Sequence, residues 1–335
     1  MKKIVYIVIF ILAETVVDSQ QLPVFSQYTD NLFLVNPAVA GAEGVTTITL
    51  TNRIQWVGIS GAPQTSALSI EGRILKRRFQ LKSLFGFLLG EKKGTKDKYY
   101  VAKKEGKVGM GGYVFEDRNG VIDRTGFLYA YTYHIFLRGY NQISFGLALS
   151  AFQFRLDRNN IVVVQPDDPI LNSSVLRTSF IPDASVGFYW MNHHFFAGLS
   201  GLQLSQSFLK YGNSSFNDYQ LLRTYYAVGG GFFPIGNDYT INPTVLLKTT
   251  EQAQTFQTDF TAKIMYEDQY WTGMSYRTNG DIVFLMGVKY GKFIFNYSYD
   301  YPPNPLRQHT YGSHELTIAM KFGSTERRYR WKDRF

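Results

Sequence analysis

No cysteine occurs anywhere in the 335 residues, which excludes disulfides, thiolate metal sites and thiol chemistry together. Long apolar runs are equally missing. Beyond the first twenty residues no stretch reaches the roughly eighteen that a membrane-spanning helix needs, and segments such as 84–89 fall far short. Histidine is scarce, at five: His134, His193, His194, His309 and His314. His193 and His194 are adjacent, and neighbours on a strand point to opposite faces, so they make a poor metal pair and are better placed in a turn. His314 between Ser313 and Glu315 has the composition of a Ser–His–acid relay, but the same alternation denies it the geometry. The glycines 109, 111, 112 and 229–231 sit within strand patterns with no helical pattern after them, so they mark bends or close packing rather than a phosphate cradle. No catalytic, cofactor-binding or metal residue is nominated, and the chain is read as non-enzymatic.

What the sequence does contain begins with an export signal. Lys2 and Lys3 precede an apolar run at 4–13, followed by small and polar residues to Gln20, with cleavage expected near 19–21. Aromatic residues make up 16% of the chain (27 Phe, 24 Tyr), yet mean hydropathy is slightly negative. Barrels that meet lipid outside and water or polar filling inside combine these two traits. Segments of about ten residues alternate accordingly. Thr47, Thr49, Thr51, Arg53 and Gln55 share one face while Ile48, Leu50, Ile54 and Trp56 share the other. Phe127, Tyr129, Tyr131, Tyr133, Ile135 and Leu137 repeat the apolar face, as do Phe256, Phe260, Ile264 and Tyr266, and finally Leu316, Ile318, Met320 and Phe322. Alternation alone also suits a soluble sandwich, but with the signal and the aromatics gathered at 293–299 it predicts an all-β transmembrane barrel in the outer membrane of a Gram-negative cell. About fourteen antiparallel strands are expected, near 45–57, 64–76, 107–116, 124–137, 142–156, 182–190, 194–204, 222–233, 239–248, 255–266, 269–277, 281–289, 292–300 and 313–322. The chain divides into a signal (1–20), an N-terminal periplasmic or plug segment (21–44), the barrel (45–323, with a Lys-rich insertion at 77–106) and a basic tail (324–335).

The formal charge of +9 is not a nucleic-acid signature, because it is concentrated. Residues 73–107 hold twelve Lys or Arg against Glu91, Asp97 and Glu105, and the tail holds five against Glu326 and Asp333. Together these exceed the whole chain's charge, so the remainder is slightly acidic. An even strand count puts both termini in the periplasm, and the same parity puts 77–106 there too, against the preference for short periplasmic turns. Two readings stand: a solvated loop, or a basic face for an acidic partner. On the strands, Arg53, Asp259, Lys263, Arg277, Asp300, Glu315 and Lys321 point inward by parity. Their mixed signs suit a cross-linked, filled lumen better than a selective pore, which would show rings of one sign.

Several strings carry more than alternation. Residues 23–44 read PVFSQYTDNLFLVNPAVAGAEG, and 52–65 read NRIQWVGISGAPQT. Further along come Ile181-Pro182-Asp183, Asn242-Pro243-Thr244, Trp271-Thr272-Gly273, Tyr276-Arg277, Tyr297-Ser298-Tyr299-Asp300 and Gly312-Ser313-His314-Glu315. In this order, across nearly the whole mature chain, they resemble the PorP/SprF family of type IX secretion membrane proteins. The Lys-rich stretch 77–106 and the tail beyond Phe322 depart from that pattern. The resemblance implies an outer-membrane component of type IX secretion in Bacteroidetes, a system tied to protein secretion and gliding motility. It implies an adaptor or anchor whose partners are secretion subunits, a secreted adhesin or cargo C-terminal domain, and a periplasmic lipoprotein. It also nominates Asn36, Pro37, Gly41, Arg53, Trp56, Gly61, Pro63, Asp300, Ser313, His314 and Glu315 as architecture or docking surface. The contrasting reading is a channel for hydrophobic or small solutes, of the fatty-acid-transporter kind; a lipid enzyme comes third.

Overall fold

The computed structural model describes residues 25–74, 107–137, 141–156, 179–205, 208–209, 219–220, 222–251, 256–303 and 305–322. The expected signal, the basic tail and the whole Lys-rich insertion at 77–106 lie outside them.

Seventeen strands follow one another along the chain: β1 (Thr46–Ile54), β2 (Gln64–Arg73), β3 (Val108–Asn119), β4 (Ile122–Phe136), β5 (Gln142–Leu156), β6 (Ser179–Met191), β7 (Phe195–Leu202), β8 (Phe208–Leu209), β9 (Tyr219–Gln220), β10 (Thr224–Gly231), β11 (Phe233–Ile235), β12 (Tyr239–Thr250), β13 (Phe256–Tyr266), β14 (Tyr270–Arg277), β15 (Ile282–Tyr290), β16 (Phe293–Tyr301) and β17 (Ser313–Phe322). Fourteen of them form the wall. Each pairs antiparallel with its neighbour, the first strand pairs with the last from Thr46↔Phe322 to Ile54↔His314, and β10 pairs with β12 to complete the ring. Strands β8 and β9 form a separate two-residue ladder, and β11 only extends the edge of β12. A closed ring leaves no edge with unmet N–H and C=O groups, which is the condition for crossing a bilayer with strands.

Residue chemistry sorts by the period of two. On β1 Thr47, Thr49, Thr51 and Arg53 are buried inside, while Leu50 and Ile54 are exposed outside. On β4 Phe127, Tyr129, Tyr131, Tyr133 and Ile135 all face out, and Leu149 on β5 is 70% exposed. An isolated soluble domain does not leave such a belt to water; lipid is its solvent. No described helix is long and apolar enough to cross a membrane.

Two features differ from the sequence expectation for physical reasons. The first strand ends at Ile54, because Trp56 turns into the left-handed region (φ 47°) and starts the loop to β2. Phe293, Phe295, Tyr297 and Tyr299 spread along the outer face of β16 rather than gathering at its end. With the start of β1 and the end of β17 at the periplasmic end, that end carries Thr46, Phe322, the turns at 192–194 and 267–269, and Ile74 and Lys107, which flank the Lys-rich stretch; beside them the Ile74 N–H donates to the Val108 carbonyl (2.8 Å). The opposite, external end carries the loops 55–63 and 302–312.

Candidate functional site

The lumen is occupied by residues 25–45, which pass down the inside of the wall through turns and two short 3-10 helices, Leu32–Leu34 and Pro37–Val39, joined by Val35 in a helical turn and a single extended residue, Asn36. Tyr28 and Phe33 are 2% and 1% exposed, and Ala38 and Ala40 are fully buried. Small residues let this segment lie close to the wall. A Cβ at Gly146 would collide with Pro37 and Ala38, one at Gly187 with the Asn36 side chain, and one at Gly109 with the Ala40 carbonyl. Gly109 and Gly111 therefore serve close packing, Gly111 against the Phe33 ring.

At the external end of the lumen five wall charges converge on Ser26. Arg53 reaches Asp300 at 2.7 Å and Glu315 at 3.2 Å; Arg277 reaches Asp300 at 2.8 Å and Asp259 at 3.1 Å. Arg53 and Arg277 both donate to the Ser26 hydroxyl, at 2.5 and 2.7 Å, and that hydroxyl donates on to Asp300. The Ser26 and Gln27 backbone N–H groups donate to the two Glu315 oxygens at 2.7 and 3.0 Å, and the Gln27 amide reaches the Glu315 carbonyl at 2.9 Å. Two cations face three carboxylates, all almost fully buried. Neutral donors from Ser26, Gln27 and Gln257 meet the surplus negative charge, as buried carboxylates require. Arg53 and Glu315 are also cross-strand partners on β1 and β17, so the cluster binds the segment to the junction of the first and last strands.

Further contacts descend the lumen in order. The Tyr28 hydroxyl meets Thr261 (3.0 Å), Asp30 pairs with Lys263 (2.7 Å) and Asn31 donates to Ser69 (3.1 Å). Asn36 caps the second 3-10 turn by accepting from the Ala38 N–H (2.9 Å) and donates to the Phe188 carbonyl (3.0 Å). The Pro37 carbonyl accepts from Thr132 (2.9 Å). Gly41, with φ 70° and no room for a Cβ against the Gly72 backbone, accepts from Arg73 (3.1 Å), which also reaches the Ala42 carbonyl (2.7 Å). At the periplasmic rim Glu43 pairs with Lys321 (2.7 Å).

The nominated residues thus fall into three places. Asn36, Pro37 and Gly41 belong to the filling segment; Arg53, Asp259, Arg277, Asp300 and Glu315 form the external cluster. Lys263 and Lys321 stand apart from that cluster as separate wall-to-segment pairs. Trp56, Gly61, Pro63 and Ser313 shape the external rim: Ser313 accepts from the Trp56 N–H (3.2 Å), Pro63 from the Gln55 N–H (2.8 Å) and Gly61 from the Gly120 N–H (3.1 Å). His314 faces the opposite way from its neighbours, toward Tyr297, whose hydroxyl lies 2.6 Å from its Nδ1. His193 and His194 occupy the turn before β7. Among the described residues no three His, Cys, Asp or Glu gather as metal ligands.

Sequence reasoning missed Ser26, Gln27, Asp30 and Arg73. Nothing periodic marks the first three, and apart from Arg53 the wall partners cited for them lie more than two hundred residues away. The only available signal was a polar opening, Ser26-Gln27, ahead of a compact apolar run.

The solved structures that resemble it include remote outer-membrane barrels. Omp33 of Acinetobacter baumannii matches with 7% identity and a TM-score of 0.44 over 85% of this chain and 100% of that one. BamA from Haemophilus ducreyi lacking POTRA domains 1–3 matches with 9% and 0.39 over 83% and 70%, and the KdgM porin with 8% and 0.35 over 83% and 99%. No curated protein sequence matches. The sequence model of the family described as type IX secretion system membrane protein PorP/SprF, by contrast, matches residues 17–320. The chain belongs to that family and is an outer-membrane component of the type IX secretion system.

Proposed function

We propose that this barrel is a non-conducting adaptor that anchors exported proteins or surface adhesins outside and engages secretion subunits within. The observation that carries this reading is the lumen filled by residues 25–45 and bonded to the wall from Ser26 to Glu43. A pore would need that path clear, and five wall charges are already committed to the segment or to one another. The work of such a molecule falls to its two ends. Outside, the rim loops 55–63 and 302–312 offer the surface for an adhesin or a cargo C-terminal domain. Inside, Ile74 just after β2, Lys107 just before β3 and Phe322 at the end of β17 bring the flanks of the two basic stretches to one sector of the periplasmic end. Long-range attraction from clustered Lys and Arg suits an acidic face on a secretion subunit or periplasmic lipoprotein.

Affinity purification of the tagged protein from solubilised outer membrane, beside a variant lacking 77–106, tests this. Secretion subunits or an adhesin should accompany the full chain, and a periplasmic partner should drop out with the deletion or as salt rises. A barrel recovered alone at every salt concentration, with solute flux in proteoliposomes, would replace the adaptor with the channel reading.

A further inference from the structure

The direction in which residues 25–45 run is opposite to what their position before β1 suggests. The strand begins at Thr46, level with Phe322 at the periplasmic end. A segment entering from the periplasm and stopping there would leave its earliest residues at that end. Here the earliest described residues are at the other one. Ser26 bonds Arg53, next to last on β1, and Asp300 and Glu315 near the external ends of β16 and β17, whereas Gly41, Ala42 and Glu43 bond Arg73 and Lys321 at the periplasmic ends of β2 and β17. Between them the partners step downward in sequence order, through Thr261, Lys263, Ser69 and Thr132. The segment descends the lumen and then turns, at Gly41–Gly44, into the rising first strand.

From this we infer that residues 25–45 thread the barrel from its external mouth downward, so that Phe25 opens at that mouth and forms part of the surface presented outside the cell. Phe25, the residue before the Ser26 cluster, is only partly buried. It lies on the side of that cluster away from the filled lumen, since every later residue of the segment goes toward the periplasm. The cluster acts as a collar: Glu315 takes both N–H groups at the segment's first bend, and the two arginines close on Ser26. The inference uses the threading alone and holds whether or not the adaptor reading does.

The absence of cysteine permits a clean test. Single-cysteine variants Phe25→Cys, Tyr311→Cys (external loop, 77% exposed) and Gln269→Cys (periplasmic turn) are exposed to a membrane-impermeant maleimide on intact cells and again after outer-membrane permeabilisation. Phe25→Cys should label on intact cells as Tyr311→Cys does, while Gln269→Cys gains its label only on permeabilisation. Heat-modifiable gel mobility reports whether each barrel is folded. If Phe25→Cys is not, an epitope inserted ahead of Phe25 and read by antibody on intact cells replaces it. Labelling of Phe25→Cys only after permeabilisation, or in neither state, would overturn the inference, as would an epitope unseen from outside.

Discussion

A serine hydroxyl that accepts from two guanidinium groups and donates to a carboxylate has no spare bond. Removing Arg53 would leave Asp300 and Glu315 facing each other with half their compensation gone. Breaking a buried ion pair on one side costs about 3–5 kcal/mol, whereas losing one neutral donor or acceptor costs about 1–3 kcal/mol. Arg53→Met should therefore lower the unfolding free energy by about 3–5 kcal/mol and Ser26→Ala by about 1–3 kcal/mol, read from urea titrations in detergent micelles. Equal losses would mean that Ser26 is the true keystone and Arg53 only a neighbour. Arg53, Asp300 and Glu315 could be assigned to the inner face from strand parity, because period two is local. Their common partner could not, since residues 274 and 289 positions apart leave no local trace.

The strands were readable from their own residues, and the turns only as the gaps between them. Lipid outside and polar packing inside impose alternation on every wall segment, so β4, β13 and β17 announce themselves in ten residues. The turn between β13 and β14 carries no such sign. Glu267 and Asp268 both hold positive φ (46° and 52°) and close a hydrogen bond from Gln269 to Tyr266 (3.0 Å), yet neither is the Asn or Gly that this backbone favours. Left-handed backbone costs an ordinary residue about 1–2 kcal/mol. The pair Glu267→Asn with Asp268→Gly should therefore stabilise the barrel by roughly 1–2 kcal/mol, visible as a higher midpoint in the same titration. Burial also pushes the Asp268 carboxyl up to about 6. The folded state then holds its proton more tightly than the unfolded one. This group's contribution is full below the ordinary carboxylate range and is lost as pH rises through about 6. Asp268→Asn should flatten that part of the stability profile between pH 4 and 7; an unchanged slope would assign it to another group.

At the scale of the molecule the filling segment replaces a water column, and its fit rests on the wall having no side chain at the points of closest approach. Gly146 and Gly187 face each other across β5 and β6, and a side chain at either position would occupy space held by Pro37, Ala38 or Asn36. The outer face and the ladder of the barrel are untouched by such a change, because the added atoms point inward. The segment should yield before the ring does, since fourteen paired strands are held by continuous hydrogen bonding and the segment by scattered contacts. Wild-type protein in planar bilayers should be electrically silent, and chymotrypsin should spare Tyr28 and Phe33, which are buried. With Gly146→Val and Gly187→Val combined, heat-modifiable mobility should persist while conductance appears and cleavage at Tyr28 or Phe33 begins. A double variant that stays both silent and protected would mean that the wall bends to keep its filling. If conductance is already present in the wild type, a water path beside the segment carries it, and the adaptor reading loses its main support.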